Sequence, residues 1–380
     1  MLTVVLLFII IFFLKIIYEK IALDRARKNI KLIVHVNGIR GKSTVSRLID
    51  AGLRDGKKKI FTKVTGTSPK YIDIDGVEKE LIRKGKANIR EQIKVIKWVS
   101  KLKIDILILE CMAVKPEYQK ICEERILKSN IGVITNVRLD HLDEMGKTLK
   151  EIAKSLGNTI PKNGVLFTGA KDFKDIFNKI GVTKGTGIII TESGNEKYSE
   201  IDFPENVEIA LKVCEYLGVK KEIALERMRE YKRDIGVLKE IKIKNRLGKN
   251  ISFINALAAN DPDSSEKILN LFMKRENWKK NKRYLMINNR KDRISRLEQF
   301  LKFTEKFQEN FDGVIVSGEN RNIFIKKLRE ILVNSEKIFE IEDIEFIDKL
   351  KEDSIVIAVG NICGIGKKII DELELRGQNE

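Results

Sequence analysis

The chain has 380 residues, 34% of them charged and only 5 of them proline, which argues against a single domain and against a largely disordered protein. Lysine and arginine outnumber aspartate and glutamate by 73 to 55, a net +18 that suits a polyanion or an anionic membrane face and equally suits a general lysine bias; without an interleaved aromatic motif, nucleic acid is not an expected partner. The four cysteines show no C-x-x-C spacing and read as reduced thiols, and two histidines are too few for a multi-histidine metal site.

Residues 1–18, MLTVVLLFIIIFFLKIIY, form an almost unbroken apolar run with Lys15 placed to snorkel. It lacks the basic lead and small-residue cleavage site of a secretory signal, so a membrane anchor over 1–19 is expected. Lys20, Arg25, Arg27, Lys28 and Lys31 follow it, and the positive-inside rule then puts the rest of the chain in the cytoplasm of a single-pass membrane protein.

From residue 31 short β-type runs alternate with helical patterns, the signature of a mostly parallel sheet with crossover helices. Strands are expected at 32–36, 60–64, 104–109, 131–135, 165–168 and 187–191, with helices at 43–53, 89–102, 148–156, 206–217 and 222–231. A second set begins near 239, with strands at 251–254, 284–287, 314–316 and 355–359 and helices at 264–273, 295–307 and 323–332. The expected organisation is an anchor, a larger α/β domain over 20–237 and a smaller Rossmann-like domain over 238–380.

The first strand runs into Asn37-Gly38-Ile39-Arg40-Gly41-Lys42-Ser43-Thr44 and then a helix, the order in which a chain grips nucleotide phosphates. Glycines 38 and 41 let backbone N–H groups turn toward an anion, Lys42 supplies a charge for the outer phosphates, and the Ser43 hydroxyl suits Mg²⁺. The usual first glycine of such a loop is replaced by Val36. Two more segments end strands of the same unit with metal-ligand residue types: Glu110 closes 104–109, and Asn136 with Asp140-His141-Leu142-Asp143 follows 131–135. Lys63, Thr65, Thr67 and Ser68 crowd another strand end before Pro69, a place for donors that hold a carboxylate and equally a plain turn. Asp261 and Pro262 read as the start of a helix. Arg290 and Arg293 follow the strand at 284–287, where they face phosphate, a polyanion or solvent.

Together, the loop 38–43, Glu110 and the Asn136…Asp140-His141-Leu142-Asp143 segment resemble the Mur ligase superfamily. The words V-N-G-I-R-G-K-S-T, T-G-T, E-C-M-A-V, D-H-L-D-E-M-G, A-A-N-D and V-G-N-I extend the resemblance along nearly the whole chain to the ligase subunit of poly-γ-glutamate synthase, the PgsB/CapB family. The resemblance implies a Mur-ligase-like fold and an ATP-dependent, Mg²⁺-requiring amide ligase that phosphorylates a γ-carboxylate and lets the α-amine of another glutamate displace the phosphate. It implies Lys42 on the transferring phosphate, Ser43 on one Mg²⁺, and Glu110 with His141 on a second. Asn260 and Asp261 fall where Mur-type ligases close the second domain over the nucleotide, and Arg293 joins them as a nucleotide contact. It also implies glutamate and a poly-γ-glutamate chain as substrates and integral membrane subunits as partners; a homo-oligomer is compatible with the sequence. Roughly forty residues precede the loop, too few for the domain that holds UDP-sugars, so a peptidoglycan ligase is not expected. Ile39 replaces a common threonine, Cys363 stands where a histidine is expected, and no lysine is singled out for carbamylation. A folylpoly-γ-glutamate-type ligase and a P-loop ATPase energising a transporter stay open as alternatives.

Overall fold

The apolar N-terminal run forms one uninterrupted helix, Leu2–Lys28, which continues well past residue 19. Residues 2–18 are exposed, whereas Leu23 and Ala26 turn into a core shared with Ile30, Ile33, Phe61 and Val95. By length and composition it is the one helix among the described residues able to cross a membrane. The computed structural model describes residues 2–65, 69–83, 85, 87–232, 238–257, 262–290, 294–331 and 337–378. Contacts divide the chain into two units, Met1–Asp234 and Ile235–Glu380, slightly before the boundary expected from sequence.

The first unit is built on eight strands: β1 Leu32–Asn37, β2 Ile60–Val64, β3 Lys70–Ile72, β4 Glu78–Glu80, β5 Ile106–Glu110, β6 Ile131–Ile134, β7 Val165–Thr168 and β8 Gly187–Ile190. Their order is β4-β3-β2-β5-β1-β6-β7-β8. The six strands from β2 to β8 in that order run parallel, and their near-continuous Ile, Val and Leu content reflects burial on both faces. The register places Val36 opposite Glu110, Asn37 opposite Ile134 and Lys63 opposite Leu109, so the carboxyl ends of four strands share one rim. The antiparallel β3–β4 edge was not expected. Both strands are only three residues long, and the outer one, β4, is Glu-Lys-Glu, which suits an edge and leaves no apolar alternation to read.

One face of this sheet is covered by helices Lys42–Leu53, Pro204–Tyr216 and Lys221–Arg229. They pack closely around Gly52, where a Cβ would lie 2.7 Å from Cys214 Sγ and 2.8 Å from Met228 Cε. On the other face, helix Arg90–Val99 stops earlier than its pattern suggests, passing into a 3₁₀ turn, Ser100–Leu102, that Lys103 ends at φ 49°. Helix Pro116–Ile121 continues as a π-helical segment, Cys122–Leu127, closed by Lys128 at φ 47°.

The second unit has strands β9 Lys239–Lys244, β10 Asn250–Asn255, β11 Lys282–Asn289, β12 Gly313–Gly318, β13 Ile338–Glu340 and β14 Ser354–Gly360. They lie in the order β13-β12-β11-β14-β10-β9, all parallel except the β9–β10 hairpin. β9 and β13, the two edges, were missed by the sequence reading. The strand KEIKIK of β9 buries only Ile241 and Ile243, so its lysines dominated the pattern. Helices Pro262–Met273, Ile294–Phe307, Arg321–Ile331 and Ile365–Gln378 complete the α/β layers.

Candidate active site

β1 is the central strand from which the chain leaves for the phosphate loop, with β5 on one side and β6 on the other. Position 36 is still strand, so the loop begins later than in a full glycine-rich consensus. Its two glycines are set by geometry. Gly38 has φ 129°, and a Cβ there would lie 2.0 Å from Thr135 Oγ1. Gly41 caps helix Lys42–Leu53 in the left-handed region at φ 78°, with Asn206 Oδ1 only 2.6 Å from a would-be Cβ.

The loop is clamped from β6. Thr135 Oγ1 and Asn136 Nδ2 both donate to the Arg40 carbonyl, at 2.5 and 3.0 Å, and the Arg40 N–H donates to Asn136 Oδ1 at 3.0 Å. The Arg40 guanidinium pairs with Asp140 at 2.9 Å. Asn136, expected to touch nucleotide, thus holds the loop's shape. Asn37 is buried and donates to Gln119 Oε1 and Thr159 Oγ1, at 3.3 and 3.2 Å, so its side chain secures the strand end. Ile39 packs into a core cluster with Ile134 and Met145, leaving only its backbone for the loop.

Lys42 Nζ donates to the carbonyls of Gly38 and Ile39, at 2.7 and 3.3 Å, which arches the loop over its own ammonium. Burial lowers the Lys42 pKa, and the nearby Glu110 charge opposes that shift. Ser43 Oγ donates to Glu110 Oε2 at 2.8 Å, and the Thr65 N–H donates to the same oxygen at 2.6 Å. Two expected site positions, Ser43 and Thr65, therefore converge on a third, the buried carboxylate of Glu110. Thr44 is half-buried on the first turn of the same helix.

Lys63, expected as a substrate donor, is fully buried. Its ammonium pairs with Glu91 at 2.6 Å and donates to Gln92 Oε1 at 3.3 Å, while Arg83 holds the other side of Glu91 at 2.7 Å. Gln92 Nε2 in turn donates to the Glu110 carbonyl at 3.1 Å. Lys63 thus braces the end of β5 instead of facing substrate. His141, at φ 53°, leads into the short helix Leu142–Met145 and sits with Nε2 3.8 Å from Asp140 Oδ2. Among the described residues no group of three or more His, Cys, Asp or Glu side chains forms a ready metal cage. Thr67, Ser68, Asn260, Asp261 and Arg293 lie outside the described residues.

Sequence reasoning missed the wall on the other side of the loop. Asn206, which meets Gly41, donates through Nδ2 to Asp202 at 3.0 Å, and Tyr231 OH donates to the second Asp202 oxygen at 2.5 Å. The available signal was Asn206 in the first turn of a helix opened by Pro204. His35, read as structural, is buried with Nδ1 2.8 Å from Glu123 Oε2. In the second unit, Asn288 donates to the carbonyls of Asn361 and Cys363 and accepts from Ser317 Oγ, tying together the carboxyl ends of β11, β12 and β14.

Residues 36–225 match the family model for the Mur ligase middle domain, and residues 241–376 match the one for the poly-γ-glutamate synthase CapB C-terminal domain. The chain is 32% identical over 377 residues to a capsule biosynthesis protein CapB of Bacillus anthracis, covering 93% of this chain and 79% of that protein. It is 31% identical over 368 residues to PGA synthase CapB of Bacillus subtilis, covering 92% of each. The chain belongs to the CapB family of poly-γ-glutamate synthases.

Solved folylpolyglutamate synthases share the fold. A bifunctional enzyme of Yersinia pestis complexed with AMPPNP and Mn gives a TM-score of 0.65 at 14% identity, covering 94% of this chain and 92% of that one. Escherichia coli FolC in complex with ADP gives 0.67 at 13%, covering 95% and 94%. Within the CapB-family chain, the Mur-type match begins at Val36 and takes in the loop, Glu110 and His141. The residues present fit a nucleotide and a hard divalent ion: two glycines with no room for a Cβ, a desolvated lysine, and a hydroxyl hydrogen-bonded to a buried carboxylate.

Proposed function

We propose that the carboxyl-end rim of the first sheet is the reaction centre of an ATP-dependent amide ligase, with Lys42, Ser43 and Glu110 as its working residues. The CapB family makes poly-γ-glutamate, and this chain is a ligase of that kind using ATP and a divalent metal. The observation that carries the assignment of residues is the Ser43–Glu110 hydrogen bond at the mouth of the loop.

Lys42 and the loop N–H groups would hold the phosphates, and Ser43, Glu110 and His141 would be the residues to hold Mg²⁺, which would neutralise charge on the phosphates. A γ-carboxylate oxygen attacks the terminal phosphorus and ADP leaves. The α-amine of the next glutamate then attacks the acyl carbon, the C–N bond forms, phosphate departs and the amine loses a proton. Clamping of Arg40 by Thr135, Asn136 and Asp140 keeps the loop in place through both steps, so positioning and charge neutralisation do most of the work.

The substrate reading is glutamate and a growing γ-linked chain. The N-terminal helix anchors the protein in the cell membrane with both units in the cytoplasm, beside integral membrane subunits that move the polymer. A homo-oligomer accords with this arrangement. Membranes carrying the chain, incubated with ATP and labelled D- or L-glutamate, are expected to yield γ-linked product in step with ADP. Lys42→Ala is expected to abolish both. ADP release without any glutamyl amide would instead favour a transport ATPase, and turnover unchanged by Lys42→Ala would remove the loop from the mechanism.

A further inference from the structure

At the foot of the N-terminal helix lies a shallow cavity of about 440 Å³ lined by Asp24, Arg27, Lys28, Lys31, Lys128 and Asn130. Four cations face one carboxylate. Arg27 is fixed by Ile126, whose carbonyl accepts from Nη1 at 2.9 Å, and by Asp24. Lys31 pairs with Asp105 at 2.6 Å, and Lys128 lies 3.9 Å from the already engaged Asp24. Lys28 has no ion-pair partner among the described residues. Asn130 accepts from the Ile33 N–H through Oδ1, and its amide nitrogen makes no bond among the described residues. The cavity therefore carries excess positive charge and free donors.

Its place in the fold separates it from the nucleotide site. Lys31 precedes β1 and Asn130 precedes β6, so the cavity sits at the amino ends of the strands whose carboxyl ends carry the phosphate loop. The six residues of β1, at about 3.3 Å each, stand between the two. The cavity and the exposed apolar segment are joined by one uninterrupted helix. At about 1.5 Å per residue, Lys28 lies about 15 Å beyond Tyr18, and helical side chains lean back toward the N-terminus, here toward the apolar end. That brings the cationic heads of Arg27 and Lys28 toward the headgroup layer, which adds roughly 5–8 Å to each side of a bilayer's hydrocarbon core.

We infer that this cavity binds the phosphate of an anionic lipid headgroup on the cytoplasmic leaflet. The inference rests on the membrane anchoring proposed above. Such a contact fixes the helix against the bilayer and turns the nucleotide rim away from it, and the charge complementarity is that of a juxtamembrane basic cluster.

The test uses the full chain. Flotation with phosphatidylcholine vesicles reads the anchor. Native mass spectrometry of the detergent-solubilised chain, titrated with phosphatidylglycerol against phosphatidylcholine, reads the cavity. Retention of phosphatidylglycerol is expected to exceed that of phosphatidylcholine, and to fall roughly fivefold for each charge removed in Lys28→Gln and Lys128→Asn, with glutamate-dependent ADP release unchanged. Asparagine is chosen at 128 because it tolerates the left-handed backbone there. Glycerol phosphate added alone is expected not to displace the lipid, which identifies a lipid and not a free phosphate as the ligand. Equal retention of the two lipids, variants that keep the preference, or displacement by glycerol phosphate or poly-γ-glutamate would overturn the proposal while leaving the anchor standing. A chain that floats with no vesicle overturns the anchor and the proposal together.

Discussion

Ser43 Oγ and Glu110 Oε2 lie 2.8 Å apart, although 67 residues separate them, because β1 and β5 are adjacent and in register. A hydroxyl on the first helical turn and a carboxylate at a strand end are thereby ready to share one cation. Glu110→Gln keeps the shape and removes the charge. Since charge stabilisation by a bound metal is worth several kcal/mol, glutamate-dependent ADP release is expected to fall by about 100-fold or more, with a raised Mg²⁺ requirement. Steady-state kinetics across a Mg²⁺ titration check this; wild-type metal dependence in the variant would take Glu110 out of the metal site.

Gly41→Ala puts an L side chain at φ 78° and a Cβ 2.6 Å from Asn206 Oδ1. The left-handed backbone alone costs about 1–2 kcal/mol. Weaker ADP binding by calorimetry and a lower denaturation midpoint are expected. In Gly41→Ala/Asn206→Ala the clash is relieved and part of the ADP affinity returns, while the backbone strain persists. No recovery of affinity would show that Asn206 is not the obstacle.

Lys63→Met leaves Glu91 with Arg83 alone. Removing one partner of a buried pair costs up to about 3–5 kcal/mol, and the remaining Arg83 contact brings the expected loss to about 2–3 kcal/mol. Burial pushes the Glu91 carboxyl up, but Arg83 and Lys63 outweigh it and hold its pKa below the usual 4.5. A depressed carboxylate stabilises the fold above its unfolded value, and that contribution disappears as pH falls from 4.5 through the folded value. Denaturant midpoints against pH should therefore show a shallower acid limb in Lys63→Met than in the parent. The double change Lys63→Met/Glu91→Gln should regain much of the loss at neutral pH; a double variant no more stable than the single one would contradict the pairing.

Cys363 is exposed, whereas Cys111, Cys122 and Cys214 are buried. Burial raises the Cys122 pKa and pushes that of Cys214 up to about 12, so neither offers thiolate at neutral pH. Brief alkylation of the native protein, followed by peptide mass mapping, is expected to label Cys363 well ahead of the rest. Comparable labelling of all four would mean that the buried thiols open to solvent.

The strands that build the reaction centre were readable because each is a short apolar run ending in a chemically distinctive residue: Val36 before the loop, Leu109 before Glu110, Ile134 before Asn136. Residues whose role depends on a distant partner were not. Lys63 sits in a β-type run beside threonines and reads as a donor at a strand end, and only the approach of Glu91 from the helix Arg90–Val99 makes it a brace. Asn136 reads as a ligand for the same reason that makes it a good clamp, since its amide both gives and accepts. Asn206 is marked locally only by its place in the first turn of a helix opened by Pro204, which says nothing of Gly41, the residue it meets. The edges β4, β9 and β13 carry charges where a solvent-facing edge tolerates them, and β3 beside β4 is only three residues long, so the alternation by which a strand is recognised is lost.

The phosphate loop is a few residues long, yet its two glycines are shaped by Thr135 and Asn206, about 100 and about 165 residues downstream. Local sequence cannot finish it. During folding the loop must wait for closure of those long stretches, a slow, entropically costly event, so nucleotide affinity should emerge as one of the last properties of the maturing first unit.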